Sequence, residues 1–261
     1  MKIGIFDSGL GGLAITQAIV HRLPHYDYLY LGDTKRVPYG NRSQETIHEF
    51  LSEALTYLFA HDCQLVVIAC NTASAEALRK SQQEYLPKHY PSRRILGVLI
   101  PAAEAALETG DPETVAIIAT ASTVESGSYE RELTRIRPDV KVVSKAAPLL
   151  VPLVENDGLK YVAPILEDYL EDVKADRIIL GCTHYCLIKD QVRKLFKGAV
   201  ISQDEVVPDK LADYLNRHPE IESKLSRAGS RLYHVTDLTT GYRDFAHRLM
   251  GQKIDLELVK L

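Results

Sequence analysis

The alternation of short apolar runs with longer helical patterns constrains the fold of this chain most strongly. The apolar runs, such as residues 64–69, are rich in Val, Ile and Leu and lack a regular polar alternation, as in strands buried on both faces. Between them lie segments such as 43–60, where Ile47, Leu51 and Leu55 recur at helical spacing. The sequence therefore predicts an α/β fold, in which mostly parallel sheets are flanked by helices.

Nine strands and nine helices are predicted. Ser43 is the expected N-cap of its helix, and Pro101 and Pro208 are expected in the first turns of theirs. The predicted strands are 2–6, 26–31, 64–69, 94–99, 114–119, 140–144, 176–180, 198–202 and 231–235. The predicted helices are 13–22, 43–60, 72–86, 101–109, 126–135, 159–173, 184–196, 206–216 and 238–249.

A faint internal repeat relates the two halves of the chain. A shift of 112 positions aligns the strand that begins at Ile3 with the one that begins at Val115, and the same shift aligns Cys70 with Cys182. The repeat predicts two similar α/β lobes, each with a cysteine at the end of a strand.

Both cysteines are expected at strand-to-helix turns. Cys70 precedes Asn71 and Thr72, and Cys182 precedes Thr183, all of them suitable N-cap residue types. Open α/β sheets bind ligands at the carboxyl ends of their strands. The positive end of a helix is expected to lower the pKa of a thiol there from about 8.5 toward neutrality.

Two such thiols suggest inversion of a stereocentre. Removing a proton from carbon leaves a planar carbanion, and the opposite configuration forms only if a proton arrives at the other face. Each thiol would then serve as base in one direction and acid in the other. Side chains of Asn71, Thr72 and Thr183 could bind the substrate carboxylate.

A glycine-rich turn follows the first strand and leaves two interpretations open. Asp7 could assist the Cys70 thiol or bind a substrate ammonium group, or it could simply cap the next helix. Gly9, Gly11 and Ala14 also fit the dinucleotide-binding spacing, with Asp33 in place of the ribose-binding acid. The second interpretation would make the chain an NAD(P)-dependent oxidoreductase, but it leaves both cysteine turns unexplained.

Two further positions are candidates at the same sheet edge. Pro38 and Gly40 would hold Tyr39 rigidly near the substrate, unless this is an ordinary structural loop. His184 could assist the Cys182 thiol, although a lone histidine is more often structural.

The other cysteines have simpler interpretations. Four cysteines are too few for a disulfide scaffold, so all are expected to be thiols, with Cys63 and Cys186 packed as small apolar residues. A zinc site of Cys182, His184 and Cys186 would lack a clear fourth ligand, so no metal is predicted.

Charge and hydropathy narrow the function classes. The net charge is -4 and basic residues are scattered, which argues against a nucleic-acid partner. No apolar stretch approaches a membrane span, and the first residues do not read as an export signal, so a cytoplasmic protein is expected. A periplasmic two-lobed binding module, the third class considered, would need such a signal.

Four segments together resemble the signature blocks of glutamate racemase, in the aspartate/glutamate racemase superfamily, and appear in the family's order. They are Asp7-Ser8-Gly9-Leu10-Gly11-Gly12, Gly32-Asp33-Thr34 through Val37-Pro38-Tyr39-Gly40, Ala69-Cys70-Asn71-Thr72-Ala73-Ser74 and Gly181-Cys182-Thr183-His184-Tyr185. Weaker similarity, including Val151-Pro152-Leu153-Val154-Glu155, covers essentially the whole chain. Aspartate or hydantoin racemase is the nearest alternative.

The resemblance implies a racemase (an isomerase) that needs neither pyridoxal phosphate nor any other cofactor, often acts as a homodimer and makes D-glutamate for peptidoglycan, and hence for cell-wall biogenesis and cell shape. It implies two pseudosymmetric lobes with the active site between them, one of residues 1–97 plus 208–261 and the other of 98–207. By position it assigns Cys70 and Cys182 as proton donor and acceptor, assisted by Asp7 and His184. The implied substrate-binding residues are Asp7, Ser8, Tyr39, Gly40, Asn71, Thr72, Thr183 and His184.

This chain departs from the family pattern at three places. Cys186 stands where proline is common, and Lys35 where a small residue is frequent. The segment Ser202-Gln203-Asp204 differs from the usual Asp-Ser segment. None of these changes removes a proposed catalytic group.

Overall fold

The computed structural model describes residues 1–156 and 158–261, which form two parallel sheets flanked by helices. The strands are β1 (Lys2–Asp7), β2 (Tyr28–Gly32), β3 (Cys63–Ile68), β4 (Arg94–Gly97), β5 (Thr114–Ala119), β6 (Lys141–Ala146), β7 (Arg177–Gly181), β8 (Ala199–Ile201), β9 (Arg231–Val235) and β10 (Leu256–Leu258). The first sheet has the order β10-β9-β2-β1-β3-β4 and the second the order β6-β5-β7-β8. The predicted α/β fold is confirmed.

All nine predicted strands are present, with corrections at two points. The strand expected over 94–99 ends at Gly97, because Val98 already caps the next helix. The short edge strand Leu256–Leu258 was not predicted, since its pattern is brief and half exposed.

The internal repeat is a real structural relationship. The order β2-β1-β3-β4 in the first sheet matches β6-β5-β7-β8 in the second, and β1 and β5 differ by the expected 112 positions. The strands that precede Cys70 and Cys182 therefore occupy equivalent places in the two sheets. The first sheet is larger because β9 and β10 extend it.

The helices that cover the sheets are α1 (Gly12–Arg22), α2 (Gln44–Ala60), α3 (Asn71–Glu76), α4 (Leu78–Lys80), α5 (Leu86–His89), α6 (Leu99–Leu107), α7 (Ala121–Glu125), α8 (Ser128–Ile136), α9 (Leu150–Glu155), α10 (Val162–Leu170), α11 (Lys189–Leu195), α12 (Gln203–Arg217), α13 (Pro219–Glu222) and α14 (Thr240–Met250). Short 3-10 turns cover Tyr39–Asn41, Leu159–Tyr161 and Thr183–Ile188, and a π turn covers Ser81–Tyr85. Among the described helices none is both long and apolar enough to cross a membrane.

Helix boundaries were predicted less well than strands. Ser43 does cap α2, accepting a hydrogen bond from the Thr46 amide. The single helix expected over 72–86 is divided into α3, α4 and the π turn. Pro208 lies inside α12 rather than in its first turn, because that helix begins five residues earlier, at Gln203.

The first sheet is buried on both faces, as its apolar strands require. Ile3 and Ile5 of β1 lie in the same apolar core as Leu13 of α1, whereas Phe6 lies in a second core with Leu51 of α2. Each such fully buried side chain contributes about 1.5–3 kcal/mol relative to an exposed one. The first sheet is thus a well-packed support for the loops at the carboxyl ends of its strands.

Candidate active site

Cys70 lies where β3 gives way to α3 and is itself the N-cap of that helix. Its Sγ accepts a hydrogen bond from the Ala73 amide at 3.4 Å and donates to Ser8 Oγ at 3.3 Å. The expectation that Asn71 or Thr72 caps the helix is wrong, because the sulfur takes that position and Asn71 is the first helical residue.

The predicted lowering of the Cys70 pKa is also wrong. Burial and the charge of Asp7 raise the pKa of the Cys70 thiol to about 12, against the lowering effect of the Ser8 and Ala73 hydrogen bonds. Helix α3 has only six residues, and the thiol is 4% exposed, so removal from water outweighs the helix terminus. Cys70 is therefore a protonated thiol in this conformation.

Cys182 occupies the equivalent place after β7, but a 3-10 turn rather than an α-helix follows it. Gly181 packs closely against β5, since a Cβ there would lie 2.9 Å from the Ala119 Cβ. The Sγ of Cys182 lies 3.7 Å from Nδ1 of His184, and Thr183 Oγ1 lies 3.4 Å from the same nitrogen. His184 is thus in direct contact with Cys182.

His184 is held from its other side by Glu155. Its Nε2 lies 2.8 Å from Glu155 Oε1, and its ring stacks on Phe245 with centroids 6.4 Å apart. Burial lowers the pKa of His184, but the hydrogen bonds to Cys182 and Glu155 outweigh it and hold the pKa well above its ordinary value. A protonated His184 can donate to both partners and stabilise negative charge on the Cys182 sulfur.

The structure confirms the capping interpretation of Asp7, and the functional interpretation stays a prediction. Its Oδ2 accepts hydrogen bonds from the Gly9 and Gly12 amides at 3.1 and 3.0 Å, so it does secure the start of α1. Its Oδ1 is buried and has no hydrogen-bond partner among the described residues. Burial raises the pKa of Asp7, while the charge of His184 lowers it. One carboxylate oxygen is therefore available to a ligand.

The two lobes meet closely around these groups. A Cβ on Gly11 would lie 2.5 Å from Thr183 Oγ1, and one on Gly40 would lie 3.2 Å from the Thr120 Cβ. The hydroxyl of Thr72 lies 3.2 Å from that of Thr120. The cysteine-bearing turns of both lobes thus lie close together where the lobes meet, near enough for the charge of Cys182 to contribute to the raised pKa of Cys70. We call this contact between the lobes the cleft.

The structure adds residues that sequence reasoning missed. Thr120 and Thr123 bring hydroxyl groups from the second lobe to Thr72. A signal for Thr120 existed, because the 112-position repeat makes it the counterpart of Ser8. Glu155 appeared only as part of a weakly similar segment, with nothing in its spacing to connect it with His184.

Tyr39 and Asp33 form a buried pair beside the cleft. The Tyr39 hydroxyl donates to Asp33 Oδ2 at 2.6 Å, and Thr236 Oγ1 donates to Asp33 Oδ1 at 2.8 Å. Both Asp33 oxygens are occupied, so this residue does not offer the free carboxylate that a ribose-binding acid would need. The glycine-rich turn likewise packs against Thr183 and His184 through Gly11.

The side chain of Asn71 does not cap a helix but forms hydrogen bonds with two buried polar side chains. It bonds to Gln203 at the start of α12 and to Tyr129 of α8. Neither partner was singled out by the sequence, although Gln203 lies in a segment that departs from the family pattern.

The remaining cysteines lie outside the cleft's direct contacts. Cys63 is buried in β3, and Cys186 lies beside Ser202 and Asp204. Among residues 1–156 and 158–261, no cluster of three or more His, Cys, Asp or Glu side chains could hold a metal ion.

Comparison with known proteins gives similarity over the whole chain. A glutamate racemase from Aquifex aeolicus is 37% identical over 260 residues, which cover 98% of this chain and 96% of the relative. The glutamate racemase isoform RacE1 of Bacillus anthracis has a similar crystal structure, with a TM-score of 0.90, 31% identity and coverage of 100% of this chain and 97% of the other. The Francisella tularensis glutamate racemase in complex with D-glutamate aligns with a TM-score of 0.88 and 28% identity, covering 99% and 97%.

The family model described as Asp/Glu/Hydantoin racemase matches residues 3–206. This match covers most of the chain, and the similarity to glutamate racemases extends over its full length. Together with the paired cysteine turns, these findings show that the chain belongs to the Asp/Glu/Hydantoin racemase family.

Proposed function

We propose that this protein is a glutamate racemase that interconverts L- and D-glutamate by moving protons between Cα and two thiols. The observation that carries the proposal is the placement of Cys70 and Cys182 at equivalent strand ends of two apposed lobes. The names of the full-length relatives support glutamate as the substrate.

The two thiols have different surroundings, so we assign one as the base and the other as the proton donor in a given direction. Cys182 contacts His184, whose proton can stabilise a thiolate, so Cys182 is the base that removes the Cα proton in one direction. Cys70 is a thiol because its pKa is raised, and it delivers its proton to the opposite face of the carbanion. The C–H bond electrons remain on Cα until the S–H proton arrives. The reverse direction exchanges the roles.

Substrate contacts follow from the cleft lining. We assign Ser8, Asn71, Thr72 and Thr183 to the substrate, as the family resemblance implies. The Tyr39 hydroxyl is occupied by Asp33, so the contact from Tyr39 and Gly40 is proposed for their backbone.

The free Oδ1 of Asp7 is suited to the substrate ammonium group. Hydroxyls of Thr72, Thr120 and Thr123 can bind the carboxylate on which charge develops.

Circular dichroism tests the activity directly. Purified protein without added cofactor should convert either glutamate enantiomer to the racemate, and in deuterated water the product should carry deuterium at Cα. Cys70→Ala and Cys182→Ala should each abolish racemisation, whereas Cys63→Ala, a buried cysteine of β3, should retain it. Near wild-type turnover by either active-site variant would refute the two-thiol mechanism.

The same assay distinguishes glutamate racemase from aspartate and hydantoin racemases by comparing initial rates on the three substrates. Aspartate and hydantoins should give far lower initial rates than glutamate. Faster turnover of either would move the protein to another activity of the family. Calorimetric titration with NAD(P) tests the oxidoreductase alternative, since micromolar affinity would support it.

We also propose the cellular setting and organisation implied by the resemblance. Residues 1–97 plus 208–261 and residues 98–207 are the two lobes. The strand membership of the two sheets supports this division, although α12 extends across position 208. A homodimer that supplies D-glutamate to peptidoglycan synthesis in the cytoplasm is the expected working form. Sedimentation analysis tests the dimer, and rescue of a depleted strain by D-glutamate tests the supply.

A further inference from the structure

The side chains of Asn71 and Gln203 form a reciprocal amide pair. Asn71 Nδ2 donates to Gln203 Oε1 at 2.7 Å, and Gln203 Nε2 donates back to Asn71 Oδ1 at 2.6 Å. Tyr129 completes the group, because its hydroxyl donates to Asn71 Oδ1 at 2.8 Å and accepts from Gln203 Nε2 at 3.0 Å. We call these three residues the amide ring.

The amide ring couples the orientation of the Asn71 amide to that of Gln203, and in this structure it leaves one Nδ2 hydrogen of Asn71 outside the ring. Both hydrogens of Gln203 Nε2 are used, one on Asn71 and one on Tyr129. If the Asn71 amide alone were reversed while Gln203 kept its orientation, the Asn71 nitrogen would face two donors and its oxygen would face Gln203 Oε1. Such a reversal would leave buried polar groups unpaired, and each of these costs about 1–3 kcal/mol.

The ring lies deep in the protein and near both sulfurs. Gln203 is fully buried, with 0% exposure. Asn71 directly follows Cys70, and the charge of Cys182 adds to burial in raising the pKa of Tyr129. The ring also joins three elements. These are α3, which follows strand β3, α8 of the second lobe, and the start of α12.

We propose that Gln203 is a positioning residue for substrate binding, which holds the Asn71 amide so that its second Nδ2 hydrogen is offered to glutamate. No described hydrogen bond uses that hydrogen. The inference rests on the proposed function, because it assumes that Asn71 binds the substrate. It adds a residue from the segment in which this chain departs from its relatives.

Gln203→Met tests the positioning role while keeping side-chain volume. Without the amide, Asn71 can turn, so the KM for both glutamate enantiomers should rise about tenfold, the loss expected for one buried hydrogen bond. The value of kcat should change much less, since neither thiol loses a contact. An unchanged KM in a folded Gln203→Met protein would overturn the proposal.

Gln203→Glu provides a readout that a purely structural role would not move. A protonated glutamic acid reproduces the amide ring, donating to Asn71 Oδ1 and accepting from Nδ2, whereas a carboxylate repels Asn71 Oδ1. Burial raises the pKa of such a carboxyl group. The variant's KM should therefore approach the wild-type value as the pH falls and rise as the pH increases. A KM ratio to wild type that is independent of pH would contradict the proposal.

Gln64→Glu is the matched control. Gln64 is a buried glutamine of β3 whose Nε2 donates to the Ser92 carbonyl at 2.7 Å, outside the amide ring. Its replacement should reduce stability without making the KM ratio depend on pH. The charges of Cys182 and Cys186 also act on Tyr129. Both residues are present in every variant, so dividing each variant's KM by the wild-type KM at the same pH removes their contribution.

The two proposals fail in different ways. If wild-type protein does not racemise glutamate, the proposed function is wrong. If wild type is active and D-glutamate raises the melting temperature of Gln203→Met as much as that of wild type, only the positioning role is wrong.

Discussion

The Nε2 atom of His184 lies 2.8 Å from Oε1 of Glu155, on the side of the imidazole ring remote from Cys182. The ring is thus held between a carboxylate and a sulfur. Such a carboxylate both orients an imidazole and favours its charged form.

Glu155→Gln should lower kcat in both directions, by about 10- to 100-fold, as expected for loss of a supporting partner. Because the carboxylate raises the pKa of His184, its removal lowers that pKa. The alkaline limb of the kcat profile should therefore move to lower pH. The exposed Glu167→Gln on α10 is the control and should leave the profile unchanged. An unaltered kcat in Glu155→Gln would contradict the role of the His184 contact.

Asp7→Asn should make Cys70 more acidic. The charge of Asp7 raises the pKa of the Cys70 thiol, and asparagine removes that charge while keeping an oxygen for the Gly9 and Gly12 amides. Alkylation of Cys70 at alkaline pH, followed by mass spectrometry, should become about threefold faster or more, the change produced by half a pKa unit. Equal rates in both proteins would show that the charge does not reach the thiol.

Gly11→Ala should reduce both stability and activity. Its Cβ would lie 2.5 Å from Thr183 Oγ1 and 2.7 Å from the His184 ring, so the side chains of Thr183 and His184 or the turn that carries Gly11 must move. We expect a loss of about 1–3 kcal/mol in the free energy of unfolding and a loss of racemisation. Gly241→Ala in α14 is the control, because its nearest contact is 3.8 Å. It should stabilise the protein by about 0.5–1 kcal/mol. Equal effects of the two changes would disprove the close approach.

Asp27→Asn should destabilise the protein at neutral pH but progressively less in acid. Burial acts to raise the pKa of Asp27, but hydrogen bonds from Ser226 and Ser230 outweigh it and lower the pKa from 3.8 to about 2. A depressed pKa stabilises the folded state above the unfolded value, and this contribution is lost as the pH falls through the folded one. Urea unfolding should show the wild-type advantage shrinking below about pH 5. A constant difference would exclude this origin.

The sheet and the two cysteine turns could be predicted because their causes are local. The run 64–69 can be buried on both faces only in a covered sheet, and parallel topology then places the residues after each strand at one edge. The shift from Cys70 to Cys182 identified the two lobes, since equal spacing of two strand ends is rare by chance. Those features depend on the order of residue types along the chain.

The features of the site that the sequence did not predict depend on contacts between segments far apart in the chain. Glu155 meets His184, and Gln203 meets Asn71, only because the lobes fold against each other, and no local pattern records this. The pKa of Cys70 was mispredicted for the same reason, because a strand-end position does not reveal how completely the closed cleft excludes water. The sequence indicated the candidate thiols but not the residues that contact them.

The shielding of both sulfurs has a consequence for turnover. Cys70 is 4% exposed and Cys182 is 6% exposed, so a substrate reaches them only after the segments that cover them move. In the proposed mechanism, the rate of that movement is an upper limit on kcat. The same covering keeps bulk water from the sulfurs, so in the proposed mechanism the proton that completes the product is one that Cys70 or Cys182 already carries when the substrate is bound.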